Sequence, residues 1–141
     1  MTPKLNCILL IDDDEATNFL SNIILEETAL SNNIKTKQTA RSALAYLADS
    51  VEKNDASSVL PYPDLILLDI NMPAMDGWEF IERFRELNRK ADNKVIIVML
   101  TTSINPDDKI RALNMPEISS FENKPLTTEM VTSIVERFFP L

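Results

Sequence analysis

The chain contains no histidine, one cysteine and one glycine among its 141 residues. Without histidine there is no serine-type catalytic triad, no imidazole metal site and no residue to carry a phosphohistidine. A single cysteine, Cys7, excludes an internal disulfide or a thiolate metal site. Its place in the apolar run Cys7–Ile11 marks it as a small buried hydrophobe. The lone glycine, Gly77, rules out a glycine-rich phosphate loop. Positive charge is scarce as well: 14 Lys and Arg stand against 22 Asp and Glu, a net charge of -8. Nucleic-acid binding needs a basic face, so it is not expected. No stretch approaches the roughly 20 apolar residues that span a bilayer, and Met1–Asn6 is too short to open a signal peptide. A cytoplasmic protein with no membrane contact is expected.

What remains is an ordinary globular composition, 45% hydrophobic and 26% charged, long enough for one core. A single domain over residues 1–141 with no output domain is expected. Three short continuous apolar runs, Cys7–Ile11, Leu65–Leu68 and Val95–Leu100, read as strands buried on both faces of a parallel sheet. Weaker strands fall at Ile34–Gln38 and Ile118–Phe121. Helical spacing fills the gaps. The first helix has the stripe Leu20, Ile24 and Leu25; the second has Ala40, Leu44 and Leu47. Asp76 and Glu79 form a capping box for the third, with Phe80, Phe84 and Leu87 as its apolar side. Asn105, Pro106, Asp107 and Asp108 are cap, first-position proline and first-turn acids of the fourth. Thr127 or Thr128 starts the fifth, with Met130, Ile134 and Phe138 facing inward. Strand and helix alternate five times, which implies a three-layer α/β fold. Lys53–Tyr62, polar and closed by two prolines, reads as a loop.

The polar residues that follow the strands carry the functional signal. Asp12 and Asp13 close the first strand, Asp69 the third and Thr101 the fourth, and Lys124 lies just past the fifth. Open parallel sheets bind ligands beyond the carboxyl ends of their strands, where the strand order reverses. In the order 2-1-3-4-5 that point lies between the first and third strands, and brings both acidic groups together. Three clustered carboxylates need a cation. With oxygen ligands alone, magnesium is the natural one. Lys124 adds a positive charge and Thr101 a hydroxyl donor for a phosphoryl oxygen. These are the parts for phosphoryl transfer to a carboxylate.

The runs ILLIDDDE, LILLDINMPAMDGWEF, VIIVMLTTS and FENKPL, in this order and spacing, resemble the receiver domain of bacterial two-component response regulators. The resemblance extends from Leu5 to Phe138, and its pattern is that of the single-domain, chemotaxis-regulator-like members. It implies a flavodoxin-like (βα)5 three-layer sandwich with strand order 2-1-3-4-5. It also implies that Asp69 is the phosphoacceptor. Asp13 becomes a direct and Asp12 a water-mediated magnesium ligand, with the Asn71 backbone carbonyl completing the protein's share. Thr101 becomes the switch hydroxyl and Phe121 the switch aromatic, and Lys124 precedes a cis-proline bond at Pro125. Asn71 and Ser103, two residues beyond Asp69 and Thr101, are implied to tune the lifetime of the phosphoryl group. The implied partners are a sensor histidine kinase or histidine phosphotransfer protein as donor and a downstream protein target. The implied activity is not enzymatic turnover but self-phosphorylation and self-dephosphorylation. Monomer and phosphorylation-linked dimer both remain open; the apolar end Phe138–Leu141 suits either dimer contacts or packing of a terminal helix.

Two departures from the family pattern stand out. Asn114–Ile118 lacks the glycine that many receivers carry before the fifth strand, and Thr102 is bulkier than the alanine or glycine common at its position. Asp14 and Glu15 are read as first-turn acids, Met72, Met75 and Trp78 as packing residues. Phe19 and Ile23, an i, i+4 pair, have two readings: packing against the last helix, or docking of a helical phosphodonor. Two rival functions are set against the main one. A receiver-like interaction module that is never phosphorylated would be expected to lose part of the acidic pair, acceptor or lysine. A haloacid-dehalogenase-type phosphatase would carry a second aspartate where this chain has Asn71.

Overall fold

The fold is described from a computed structural model over residues 5–52, 60–91 and 94–140. Five strands alternate with five helices: β1 (Ile8–Ile11), α1 (Glu15–Thr28), β2 (Ile34–Lys37), α2 (Ala40–Glu52), β3 (Leu65–Asp69), α3 (Gly77–Ala91), β4 (Ile96–Thr101), α4 (Pro106–Leu113), β5 (Ile118–Asn123) and α5 (Thr128–Phe138). The strands form one parallel sheet in the order β2-β1-β3-β4-β5, the expected doubly wound arrangement. Residues 53–59 of the expected loop lie outside the described residues, as does Leu141.

The continuous apolar runs are explained by the pleat, which sends successive side chains to opposite faces. Leu9, Ile11, Ile66, Leu68, Ile97 and Met99 enter a core with Ala43, Leu47, Phe80, Phe84 and Ala112, so α2, α3 and α4 cover that face. Ile8, Leu10, Leu65, Leu67, Ile96, Val98 and Leu100 enter a second core with Leu25, Val131, Ile134 and Val135, from α1 and α5. Cys7 is fully buried, and Met72 and Trp78 pack in the first core as expected. Phe138 and Phe139 pack against the second.

The helix starts follow their caps. Asp14, Asn105 and Thr127 cap α1, α4 and α5, each side chain accepting a backbone N–H of the first turn. Asp76 Oδ1 accepts from Glu79 N at 3.0 Å at the start of α3. The turn before β5 closes without glycine, through Met115 N to Ala112 O and Ile118 N to Met115 O, both at 3.1 Å.

The face of α1 differs from expectation. Leu20, placed in the inward stripe, is 62% exposed, and the residues buried are Asn18, Ser21 and Leu25. The start of the helix, at the Asp14 cap, sets its rotation. The Asn18 amide donates to the Asp12 carbonyl at 2.8 Å, and that bond turns the polar side of the first two turns toward the sheet. Phe19 is 68% and Ile23 40% exposed.

The single glycine has a spatial reason. Its N–H donates to Ile70 O at 2.9 Å, drawing the start of α3 onto the end of β3. A Cβ at Gly77 would lie 2.8 Å from Asp69 O and 3.0 Å from Ile70 Cα, both backbone atoms that cannot step aside. Gly77→Ala is therefore expected to cost about 1–3 kcal/mol of folding stability, as overpacking does. Urea unfolding measures this, and a midpoint equal to wild type would refute the close approach.

Candidate functional site

Two strand ends and one loop bring the charged residues together. β1 and β3 are adjacent, with Ile11 opposite Leu68, so the residues that follow them, Asp12 and Asp13 on one strand and Asp69 on the other, share the carboxyl edge. One carboxylate oxygen from each of Asp12, Asp13 and Asp69 can lie within 4.8 Å of the others. Asp12 and Asp69 are buried and Asp13 is exposed. From beyond β5, the Lys124 ammonium reaches Asp12 Oδ2 at 2.5 Å and Asp69 Oδ1 at 3.4 Å. The Lys124–Pro125 peptide bond is cis, as the resemblance implied.

Backbone groups hold this cluster in place. Asp12 Oδ1 accepts from Asp14 N at 2.9 Å, while the Asp12 carbonyl takes the buried Asn18 amide. Lys124 N donates to Thr101 O at 2.9 Å, tying the lysine to the end of β4. Thr101 is fully buried, and its Oγ1 accepts from Ser103 N at 2.9 Å. Phe121, half-buried, packs against the core under α4. With Thr102, Ser103, Asn105, Lys109 and Lys124 it also lines a cleft of about 500 Å³ beside the site.

Electrostatics follow from burial. Burial pushes the Asp69 carboxyl up to about 6; Lys124 pulls it down, Asp12 pushes it up again, and a hydrogen bond from the Asn71 backbone holds it down. For Lys124, burial opposes the charge, but the hydrogen bond to Asp12 and the field of Asp69 and Asp12 win, raising its pKa. When all three carboxylates are ionised, one ammonium leaves two negative charges uncompensated within this group. A divalent cation with a preference for oxygen, such as magnesium, matches both that charge and that donor set.

Of the expected site residues, the structure gathers Asp12, Asp13, Asp69 and Lys124 directly, with Thr101, Ser103 and Phe121 along the adjoining edge. Asn71 is exposed at the rim, next but one to Asp69. Phe19 and Ile23 lie outside the pocket, on the exposed side of α1. Two residues at the site carried no functional expectation. Asn18 is buried beneath Asp12, and its Oδ1 has no hydrogen-bond partner among the described residues; the signal in the sequence was a polar residue one turn after the cap. Asp108, read as a first-turn acid, accepts from Ser103 Oγ at 2.6 Å.

The raised Asp69 pKa has a consequence for stability. In the unfolded chain the carboxyl titrates near 3.8 and in the fold near 6. Between those values the folded state holds the extra proton, so stability falls as pH rises through that window and stays lower above it. Asp69→Asn removes the penalty. In chelator-treated protein it is expected to unfold at higher urea than wild type above pH 6, by on the order of 2 kcal/mol. The gain should vanish near pH 4; a gain independent of pH, or none at pH 7.5, would show that Asp69 is not under charge stress.

The same architecture recurs in known proteins. Residues 8–136 match the response regulator receiver domain. Response regulator Rcp1 of Synechocystis sp. is 33% identical over 109 residues, 77% of this chain and 69% of that protein. The crystal structure of a two component response regulator from Cytophaga hutchinsonii superposes with a TM-score of 0.84 at 29% identity, covering 95% of this chain and 96% of that one. The phosphorylated cyanobacterial phytochrome response regulator RcpA superposes with a TM-score of 0.69 at 28% identity, over 95% and 93%. Strand order, acidic edge and sequence family agree, and the chain belongs to the response regulator receiver domains, the signalling modules of two-component systems.

Proposed function

We propose that Asp69 accepts a phosphoryl group from a phosphohistidine on a sensor kinase or histidine phosphotransfer protein, and that the protein signals by phosphorylation-dependent contact with a downstream partner. The observation that carries this reading is the cluster of Asp12, Asp13 and Asp69 at one sheet edge with Lys124 reaching two of them. An Asp69 oxygen attacks phosphorus, the phosphorus–nitrogen bond breaks, and the imidazole leaves with the bonding pair. The product is an acyl phosphate. With its pKa near 6, Asp69 is ionised and nucleophilic at neutral pH.

Asp12, Asp13, Asp69 and the Asn71 carbonyl are the residues that would hold magnesium. The bound ion would offset charge between an anionic donor and an anionic acceptor. Lys124 is placed to follow a phosphoryl oxygen once Asp69 is modified, and Thr101 to donate its hydroxyl to another. The inward turn of Phe121 would then alter the surface around α4 and β5. Hydrolysis of the acyl phosphate returns the resting state, at a rate set in part by Asn71 and Ser103. The proposed setting is the cytoplasm; among the described residues no helix is long and apolar enough to cross a membrane.

Incubation with magnesium and acetyl phosphate, followed by intact mass, tests the chemistry. Wild type is expected to gain one phosphoryl group, lost on chelation of magnesium before the donor is added, and Asp69→Asn none. An unmodified wild type would favour the unphosphorylated interaction module; steady release of phosphate from phosphomonoesters would favour the phosphatase. Substitutions at Asn71 or Ser103 are expected to change the decay of the phosphorylated species while leaving its formation possible.

Phe19, Leu20 and Ile23 form an exposed apolar strip on the helix that begins beside the site. We assign it to docking of the helical phosphodonor. Phe19→Ala is expected to leave the urea midpoint within about 0.5 kcal/mol, as for an exposed residue. It should slow transfer from the cognate donor while phosphorylation by acetyl phosphate keeps its rate. Equal slowing with both donors would mean that the residue serves the site rather than the partner.

A further inference from the structure

The loop between β4 and α4 is organised around one residue. Ser103 uses its backbone N–H on Thr101 Oγ1 at 2.9 Å and its hydroxyl on Asp108 Oδ2 at 2.6 Å. Its hydroxyl oxygen accepts from Asn105 N at 3.2 Å, and its carbonyl accepts from Asn123 Nδ2 at 3.2 Å. The strongest of these is the bond to the ionised Asp108, because hydrogen bonds to a charged acceptor are shorter and stronger than neutral ones. Asp108 is itself fixed in the first turn of α4, where its N–H meets the Asn105 carbonyl at 3.1 Å.

We propose that Asp108 is a positioning residue which, through Ser103, latches the Thr101 hydroxyl in its resting place. The inference rests on the reading of Asp69 as phosphoacceptor and Thr101 as the group that answers it. At rest the Thr101 oxygen is engaged by the Ser103 N–H, while Asp108 anchors Ser103 to α4. For Thr101 to approach a phosphoryl oxygen on Asp69, the Ser103 contact must stretch or the loop must move as a unit. The first route costs the Ser103 N–H contact that holds Thr101, and the second works against the Ser103–Asp108 bond. The latch therefore favours the unphosphorylated conformation, and its removal shifts the population toward the phosphorylation-ready one.

The consequence is measurable with a small donor, which needs no docking surface. Asp108→Ala and Ser103→Ala are each expected to speed phosphorylation by acetyl phosphate by roughly three- to tenfold, the range for net loss of one ordinary protein hydrogen bond. The double variant should be no faster than Ser103→Ala, which already removes the only contact with Ser103 that Asp108→Ala deletes. Asp108→Asn, which loses the charge but keeps an acceptor oxygen, should stay within about twofold of wild type. Should Asp108→Asn match Asp108→Ala instead, the acid acts by repelling the anionic donor, and the latch is wrong. Additive effects of the two alanines, or no change from either, would also overturn it. Amide hydrogen exchange of the resting protein provides a readout free of phosphorylation: Ser103 and Asn105 should exchange faster in Asp108→Ala than in wild type or Asp108→Asn. A wild type that never gains a phosphoryl group sinks the proposed chemistry, whereas unchanged exchange in Asp108→Ala sinks the latch alone.

Discussion

The contact of the Lys124 ammonium with the carboxylates of Asp12 and Asp69 sets the terms for the whole carboxyl edge of the sheet. Two of three neighbouring acids are buried there, and removing ionised carboxylates from water is costly unless charge and hydrogen bonds compensate. Lys124 supplies part of that compensation because its backbone is bonded to the end of β4, which places the side chain across β1 and β3. Backbone N–H groups of Asp14 and Asn71 supply another part. The remainder is visible as the raised Asp69 pKa. Neutralisation within this group of three carboxylates and one ammonium is incomplete.

This explains why so much local structure converges on a few strand ends. Gly77 lets α3 start against the backbone of Asp69 and Ile70, closing the loop from Asn71 to Asp76 tightly. Asn18 commits a buried amide to the Asp12 carbonyl, which fixes the main chain just past β1. The sheet core beneath, Ile11, Leu68 and Leu100 among its members, is ordinary apolar packing and supplies the rigid floor.

The three central strands and the charged site were legible in the sequence for one reason. Strands buried on both faces must be continuous apolar runs, so a polar residue that closes such a run sits at the sheet edge, and Asp12, Asp69 and Thr101 each do so. The rotation of α1 was not legible in the same way. Its apolar residues Leu20, Ile24 and Leu25 fit a helical stripe, but the orientation is set by the Asp14 cap and the Asn18–Asp12 bond, which hydrophobic spacing does not encode. The Ser103–Asp108 contact was hidden for a related reason: an acid in a first turn already has an explanation in the helix dipole, and nothing local says that its carboxylate also holds a neighbouring loop.

The face of α1 is mixed: Leu25 is buried and Ile24 packs on the second core, while Asn18 and Ser21 are buried and Phe19, Leu20 and Ile23 are exposed. The polar side is required, because Asn18 anchors the segment bearing Asp12 and Asp13. Because a helix has only so much circumference, satisfying the acidic edge on the inside turns the apolar residues outward within a turn or two of the site. The same rotation that fixes the Asp12 main chain thus leaves Phe19, Leu20 and Ile23 as an apolar strip beside the acidic edge.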